Sequence, residues 1–384
     1  MANTLTGLIP VMYEGLDIVS REMCGLTRAV SLESKAENAA VGQTVRSHVA
    51  PTATTHDITP GTAPADEGSQ NIGTVDVVIT KAKESPILWT GEEQLSVGGQ
   101  LNPILVDQFT QSIRALVNEV EVDLATTGYK GASRAYGTAG TTPFGTAGNL
   151  SDFAQVLKIL EDNGAPQTDL HLGLGSSAIA NIRGKQSGLF EVNRAGSDDL
   201  LRRGVIGDVQ GLAIHNSYGI QTPASGTGSG YLVAASDLAI GDTTITVDTG
   251  SGTILAGDVV TFAGDANQYV VATALSGTTF TIAEPGLRTA VADNSAITVV
   301  GASTRNLGFA RSALHLAART PAMPKDSSGR PVDAALDVID LTDPVSGITF
   351  QVAMYAQYRR VKYEVALAWG TKVVKSEHIC ALLG

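Results

Sequence analysis

The sequence is poor in cysteine, in aromatic residues and in positive charge. Its two cysteines, Cys24 and Cys380, stand far apart in 384 residues. They supply neither a disulfide framework nor, by themselves, a four-ligand zinc site, and a reducing compartment is the simplest reading. Aromatic residues make up 5%, so a core has to be built mainly from Ala, Val, Leu and Ile. Charged residues are 17%, against about 25% in ordinary soluble domains. With 26 Lys and Arg against 38 Asp and Glu, the formal charge is −12. That argues against a general binder of nucleic acid or of anionic membrane, because attraction to phosphate needs a basic field. Near the N-terminus Glu14, Asp17, Arg21 and Glu22 interrupt the apolar residues before a secretory or membrane-spanning stretch can form.

What remains is a chain that is 43% hydrophobic, with 42 Gly and 14 Pro. It reads as folded and turn-rich, long enough for two or three domains or one large domain with an insertion. Pro10 opens a short amphipathic helix on which Met12, Leu16, Val19 and Met23 share one face, a stripe narrow enough to dock on a partner or on the chain's own core. Residues 48–71, with Pro51, Pro60 and Pro64, lack helical period and form either a surface loop or an arm with a purpose. Thr74 to Ala82 alternates like a strand, and Pro86 to Gly91 is its continuation or partner. From Asn102 to Tyr129 runs the strongest helix signal. Asn102 is placed to cap it and Pro103 to occupy its first turn, while Leu105, Phe109, Ile113, Leu116, Val120 and Leu124 recur on one side. Asp107, Gln111, Arg114, Asn118 and Glu121 fall on the other side, and at about 1.5 Å per residue the helix is a spine of roughly 40 Å.

A second helix is expected from Ser151, with Phe153, Val156, Leu157 and Leu160 on its apolar face and Asn163-Gly164 ending it. Thr168 to Gly184 reads as strand then helix, and Leu200 to Tyr218 as two short strands around a turn, giving a mixed α/β unit. Ser225 to Gly230 (SGTGSG) reads as a flexible linker into an all-β stretch, Tyr231 to Val300. That stretch carries Asp237, Asp242, Asp248, Asp258, Asp265, Glu284 and Asp293 against Arg288. Its carboxylates fit a solvated surface, since no loop has the oxygen-ligand spacing of a calcium site. Ala318 to Asp333 is expected as a loop, and the C-terminal stretch as long paired strands broken at Gly370.

Catalytic motifs are weak. Gly173-Leu174-Gly175-Ser176-Ser177 resembles a phosphate-cradling turn but lacks both the third glycine of a dinucleotide fingerprint and a following Gly-Lys-Ser/Thr. Neither serine stands in a nucleophile elbow. His48, His56, His171, His215, His315 and His378 show no metal spacing. The basic clusters are Arg202-Arg203 and Arg359-Arg360 with Lys362, too sparse for a nucleic-acid groove and better suited to partner contacts. No catalytic residue, cofactor or metal is expected.

Four segments carry a family resemblance: MANTLTGLIPVMYEGLDIVSRE at the start, ENAAVGQTVRSHVAP after it, TVDVVITKAKESPILWTGEE, and KYEVALAWGTKVVKSEHICAL near the end. With the order of parts, they resemble the major capsid (coat) proteins of short-tailed bacteriophages that carry an inserted β-domain. The resemblance implies an α+β chain with the Hong Kong 97-like capsid fold. It would have an N-terminal arm (Met1 to Val49), an extended loop (Ala50 to Thr74) and a peripheral domain (residues 75–150) containing the spine helix. An axial domain (Ser151 to Ala224 and Ser303 to Thr342) would be interrupted by a small β-barrel (Ser225 to Ala302). The last strands, residues 343–384, would return to the peripheral domain.

The implied function is self-assembly into hexamers and pentamers of an icosahedral head around double-stranded DNA, without sequence-specific binding. A scaffolding protein and a portal protein are implied partners, and a decoration protein is left open. Assembly would take place in the host cytoplasm, with expansion on maturation and no membrane. Candidate subunit-interface residues are Met12, Leu16, Val19, Met23, Asp57, Asp66, Glu67, Arg202, Arg203, Arg359 and Arg360. Two other classes compete: a β-rich adhesin or carbohydrate-binding surface protein, which would be exported, and a hydrolase or oxidoreductase, which needs a pocket with an acid or base beside the Gly173 to Ser177 turn.

Overall fold

A computed structural model describes residues 8–10, 12–16, 25–49, 57–58, 60–61, 73–97, 101–186, 207–234, 237–328, 332–343 and 346–384. The chain is mixed α+β, with few helices and much sheet. After a helical stretch at residues 12–16 come β1 (Ser31–Ala39), β2 (Thr44–Val49), β3 (Gly73–Val78), β4 (Lys81–Thr90), α1 (Gly91–Val97) and α2 (Leu101–Lys130). Then follow β5 (Arg134–Tyr136), α3 (Ser151–Asp162), β6 (Leu170–Leu174), α4 (Ser176–Lys185), β7 (Asp208–Val209) and β8 (Leu212–Asn216). The next block is β9 (Ser229–Val233), β10 (Thr244–Ser251), β11 (Val259–Phe262), β12 (Gln268–Ser276), β13 (Thr279–Ile282) and β14 (Ala296–Val299). The chain ends with β15 (Arg305–Ala310), β16 (Leu314–Pro321), β17 (Ala335–Thr342), β18 (Thr349–Gln357), β19 (Arg360–Val373) and β20 (Ile379–Leu383).

The first sheet is organised around β19, the longest strand at 14 residues. One edge of β19 is shared by β18 and then β16, the other is taken by β4, and β17 and β1 lie at the two ends. The second sheet runs β5-β20-β15-β6-β8-β7 and is covered by α3 and α4. Beyond β5 it continues into β12, where the strands β11-β14-β9-β10-β13-β12 close on themselves through the β11–β12 pairing. Every pairing around this ring is antiparallel, so residues 229–299 form a closed six-stranded barrel with no free edge. Tyr269, Phe280, Val233, Ile245 and Val271 fill it at 1% exposure or less.

The helix α2 joins the two sheets. It meets sheet one at several points along its length. Trp89 Nε1 donates to Gln108 Oε1 at 2.7 Å, Phe109 packs edge-on against Tyr363 at 5.9 Å, and Lys81 and Lys83 reach Glu119 at 3.1 and 2.6 Å. Further along, Trp369 Nε1 donates to Asp123 Oδ2 at 2.8 Å and the Thr127 and Thr371 hydroxyls meet at 2.7 Å. Its expected apolar face is confirmed: Leu105, Phe109, Ile113, Leu116, Val120 and Leu124 are all buried. Each such side chain contributes about 1.5–3 kcal/mol on burial.

The other face departs from expectation. Among the described residues of its first half, Pro103, Asp107, Gln111 and Ala115 form an exposed stripe, and between Leu116 and Tyr129 no residue is exposed. Glu121, expected on the polar side, is 0% exposed. The reason is a second layer: the segments 12–16, 25–30 and 216–220 pack onto the side of α2 away from sheet one. A Cβ on Gly15 would come within 2.9 Å of Thr110 Oγ1, and one on Gly219 within 2.2 Å of the Glu121 carbonyl. Asn102, expected as the cap, lies inside the helix, which begins one residue earlier.

Four further expectations are corrected. Thr74 to Ala82 is two strands in two sheets, because β3 ends at Val78 against β2 and β4 begins at Lys81 against β19. Gly370 does not break a strand: β19 runs through it, and the glycine is needed because a Cβ would sit 1.9 Å from the Val78 carbonyl oxygen. The SGTGSG stretch is pinned, with the Gly226 N–H on the Asp258 carboxylate at 3.1 Å and the Gly228 N–H on the Thr253 carbonyl at 2.8 Å. The first residues of the expected loop, Ala318 to Pro321, belong to β16, where they pair with β19 and with β1.

Candidate assembly surface

An exposed corner of sheet one is built by the β18–β19 hairpin and α1. Gln357 pairs with Arg360, so Tyr358 and Arg359 are the two-residue turn, and Arg359 takes a positive φ of 57°. Tyr358 is 89% exposed, and the Arg359 guanidinium lies 5.9 Å from its ring centroid. Next to the turn, Thr90-Gly91-Glu92-Glu93 is a capping box that starts α1. The Glu93 N–H donates to Thr90 Oγ1 at 3.2 Å, and the Glu93 carboxylate accepts the Thr90 N–H and hydroxyl, both at 2.8 Å. Those bonds, the backbone one foremost, hold the Glu93 carboxyl below its usual range. The Gly91 N–H donates to the Arg359 carbonyl at 3.2 Å, locking the turn to the helix start.

Between the two walls lies an open groove of about 750 Å³, floored by Trp89 and Val361. Its helix wall carries Glu92, with Glu93 behind it, and its hairpin wall carries Arg359 and Arg360. Leu95 on α1 is 84% exposed. An exposed tyrosine beside paired arginines, flanked by carboxylates and set on a rigid hairpin, has the composition of a protein–protein contact. Along the same sheet, on its face away from α2, Lys362 bridges Glu84 at 3.2 Å and Glu364 at 2.8 Å. Burial pushes the Glu364 carboxyl up, whereas its hydrogen bond to Glu364, then Lys362, holds Glu84 down. At the sheet's end β17 exposes Leu336 and Val338 along its length.

The residues expected at subunit interfaces are scattered. Met12 and Leu16 are 0% and 1% exposed and belong to the core around α2, so these two residues of the stripe pack on the chain's own core. Arg359 and Arg360 stand together at the exposed corner. Asp57 is exposed beside Ile58, itself 95% exposed. Val19, Met23, Asp66, Glu67, Arg202 and Arg203 lie outside the described residues.

The turn Gly173 to Ser177 connects β6 to α4, and its Gly175 N–H is satisfied by Asn306 Oδ1 at 2.8 Å. The groove beside it, about 480 Å³, has Ser, Thr, Asn and Gln side chains but no acidic, basic or histidine side chain in its lining. Among the described residues no group of three or more His, Cys, Asp or Glu is placed to hold a metal ion. Sequence reasoning missed two pairings. His171 and His215 meet on adjacent strands, and the carboxylate of Glu121 holds backbone groups nearly a hundred residues away. The only signal for the first was one histidine in each of two short strand-like runs, which does not reveal that the strands are neighbours.

No family model matches the chain, and no curated protein matches it. Solved structures similar to it include a chain of Mycobacterium phage Che8 (13% identity, 90% of this chain and 85% of that one, TM-score 0.45). The capsid of cyanophage P-SCSP1u gives 11% identity over 93% and 87% with a TM-score of 0.47. A virus-like particle from Pyrococcus furiosus gives 9% over 97% and 98% with a TM-score of 0.44. Every one of these TM-scores lies below 0.5, and the functional reading rests on the chain's own residues and geometry.

Proposed function

We propose that the chain is the repeating subunit of a closed protein shell, the major capsid protein of a tailed bacteriophage with the Hong Kong 97-like fold. The observation that carries the reading is that one 30-residue helix ties together two sheets while two exposed hairpins stand off this body. One is β2–β3, which pairs only with itself, and the other ends in the Tyr358–Arg359 turn. A free monomer gains nothing from such projections, whereas a subunit surrounded by copies buries them. The four sequence segments that resemble short-tailed-phage coat proteins point the same way, as does a closed β-barrel between β8 and β15.

On this reading the chain forms hexamers and pentamers around double-stranded DNA, assembles in the host cytoplasm with a scaffolding protein and a portal, and expands as DNA enters. Its role is structural rather than catalytic. Weak contacts repeated around closed rings permit correction during growth and add up to a stable particle. The net charge of −12 keeps the inner wall from gripping packaged DNA. Negative-stain microscopy of the chain expressed alone and with its scaffolding partner is the test. Closed shells of uniform diameter are expected, and small particles in both preparations would overturn the reading.

A further inference from the structure

Residues 25–28 are held by two titratable devices on opposite sides. On α2, the Glu121 carboxylate accepts the N–H groups of Leu26 at 3.1 Å and Thr27 at 2.9 Å, and the Ser217 hydroxyl donates to it as well. Gly25 lies so close to the chain after β8 that a Cβ would be 2.1 Å from the Asn216 carbonyl. At the far end of the segment, Arg311 donates to the Arg28 carbonyl at 3.3 Å while its Nε meets Asp169 at 3.3 Å. Asp169 in turn accepts His171 Nε2–H at 3.0 Å, and His171 Nδ1 faces His215 Nε2 at 3.0 Å. His215 precedes by two residues the serine that bonds Glu121.

The hydrogen-bond chemistry of the histidine pair is restrictive. With Asp169 taking the Nε2 proton, His171 Nδ1 is an acceptor and His215 Nε2 must donate. One added proton is accommodated, because an imidazolium at His171 donates to Asp169 and to His215 together. A second proton sets two N–H groups against each other at a distance that suits one, and the rings must separate. The other charged groups acting on the pair are Arg28, Arg311 and Asp208; both arginines oppose protonation and Asp208 favours it. Burial acts against the charged form of both rings, holding His215 down at about 4. Burial pushes the Glu121 carboxyl up; a carboxyl that binds its proton more tightly when seated than when released opposes opening in acid, so release has to come from the histidine pair.

We propose that His171 and His215, coupled through Asn216 and Ser217 to Glu121, form a proton-operated seat for the N-terminal segment 25–28. Closed at neutral pH, it releases the segment when the histidine pair takes its second proton. Displacement of His215 shifts the end of β8, and with it both Asn216, against which Gly25 lies, and Ser217, which helps orient Glu121. The device belongs to the single chain and does not depend on whether the chain assembles.

The test is hydrogen exchange, read by mass spectrometry on the full-length chain between pH 7.5 and 4 and corrected for the chemical rate. The peptide containing Leu26 and Thr27 is expected to lose at least tenfold protection as pH falls through the acid range. His215→Gln keeps a donor near the Nε2 position but takes no proton, so its loss should move at least half a pH unit lower. His378→Gln, a buried histidine remote from the seat in sequence, should track the parent. A flat parental profile, or the same midpoint in the parent and His215→Gln, overturns the proposal. Asp169→Asn provides a second arm: it removes the carboxylate that favours the first proton, and its midpoint should also fall. The readout needs no particle, so failure to form shells leaves it intact, and shells without a pH step refute only the seat.

Discussion

Tyr358→Ser separates folding from assembly. In the chain itself the ring is 89% exposed, and its only aromatic or cationic contact among the described residues is with Arg359 at 5.9 Å. An exposed cation–π contact contributes about 0.5–1 kcal/mol. The turn is held independently by the Gly91 N–H on the Arg359 carbonyl, so the melting temperature should fall by no more than about 2 °C. At an interface the same ring is an anchor, and truncating such a residue typically costs about 2 kcal/mol or more. At about 1.4 kcal/mol per tenfold, the concentration at which shells first form should rise about 30-fold if each subunit loses one such contact. The assay is light scattering across a dilution series, with circular dichroism melting alongside. An unchanged assembly threshold in a normally folded variant would refute the placement of this corner in a subunit contact. A large drop in melting temperature would show that the tyrosine supports the fold instead.

Three more outcomes follow from the geometry. Gly370→Ala forces a Cβ to 1.9 Å from the Val78 oxygen and 2.8 Å from its carbonyl carbon, both backbone. Overpacking together with disturbance of the neighbouring Thr80 N–H to Trp369 carbonyl bond should destabilise by about 2–4 kcal/mol in urea titrations, whereas Gly91→Ala, with nothing within 4 Å, should be neutral. Glu121→Ala strands the Leu26 and Thr27 amides and the Ser217 hydroxyl. A loss of about 3–5 kcal/mol is expected by the same titration, with Glu121→Gln intermediate. For pH, His215 titrates near 4 in the folded chain against 6.5 in the unfolded. The unfolded chain therefore binds the extra proton first, and stability falls as pH drops from about 6.5 to 4 and levels off below. The loss is roughly 2 kcal/mol once discounted for the solvent-facing part of the ring, and it should be absent in His215→Gln denaturation curves.

The parts of this fold that could be read from the sequence are those fixed by neighbours in the chain. The stripe from Leu105 to Leu124 identified α2 because a helix repeats its face every 3.6 residues regardless of what covers it. Likewise Asn163-Gly164 ended α3, with Gly164 at φ 74°, and the turn expected between two short strands within Leu200 to Tyr218 is found at Gln210-Gly211, joining β7 to β8. What could not be read was decided by distant strands. Glu121 fell on the polar side of a helical wheel, but the wheel carries no information about segments 25–30 and 216–220, which cover that side and supply three donors. Gly370 looked like a strand break because a strand glycine ordinarily weakens pairing. The reason for it is Val78, almost three hundred residues earlier.

The same distinction applies to the assembly corner. Arg359-Arg360 stand out in the sequence as a basic pair, yet nothing local to them indicates that they face the Thr90–Glu93 capping box across a groove. That follows from the register of two long strands: Thr90 opposite Arg360 on one edge of β19, and Gln357 opposite Arg360 on the other. A one-residue slip of either pairing would turn alternate side chains to the opposite face, carrying Tyr363, Val365, Leu367 and Trp369 away from α2 and exposing them. The core that α2 makes with β19 therefore also sets where the arginines and carboxylates of the corner meet. Substitutions that disturb Trp369 or Phe109 should consequently displace the Tyr358 turn as well as loosen the core, although neither side chain belongs to the groove.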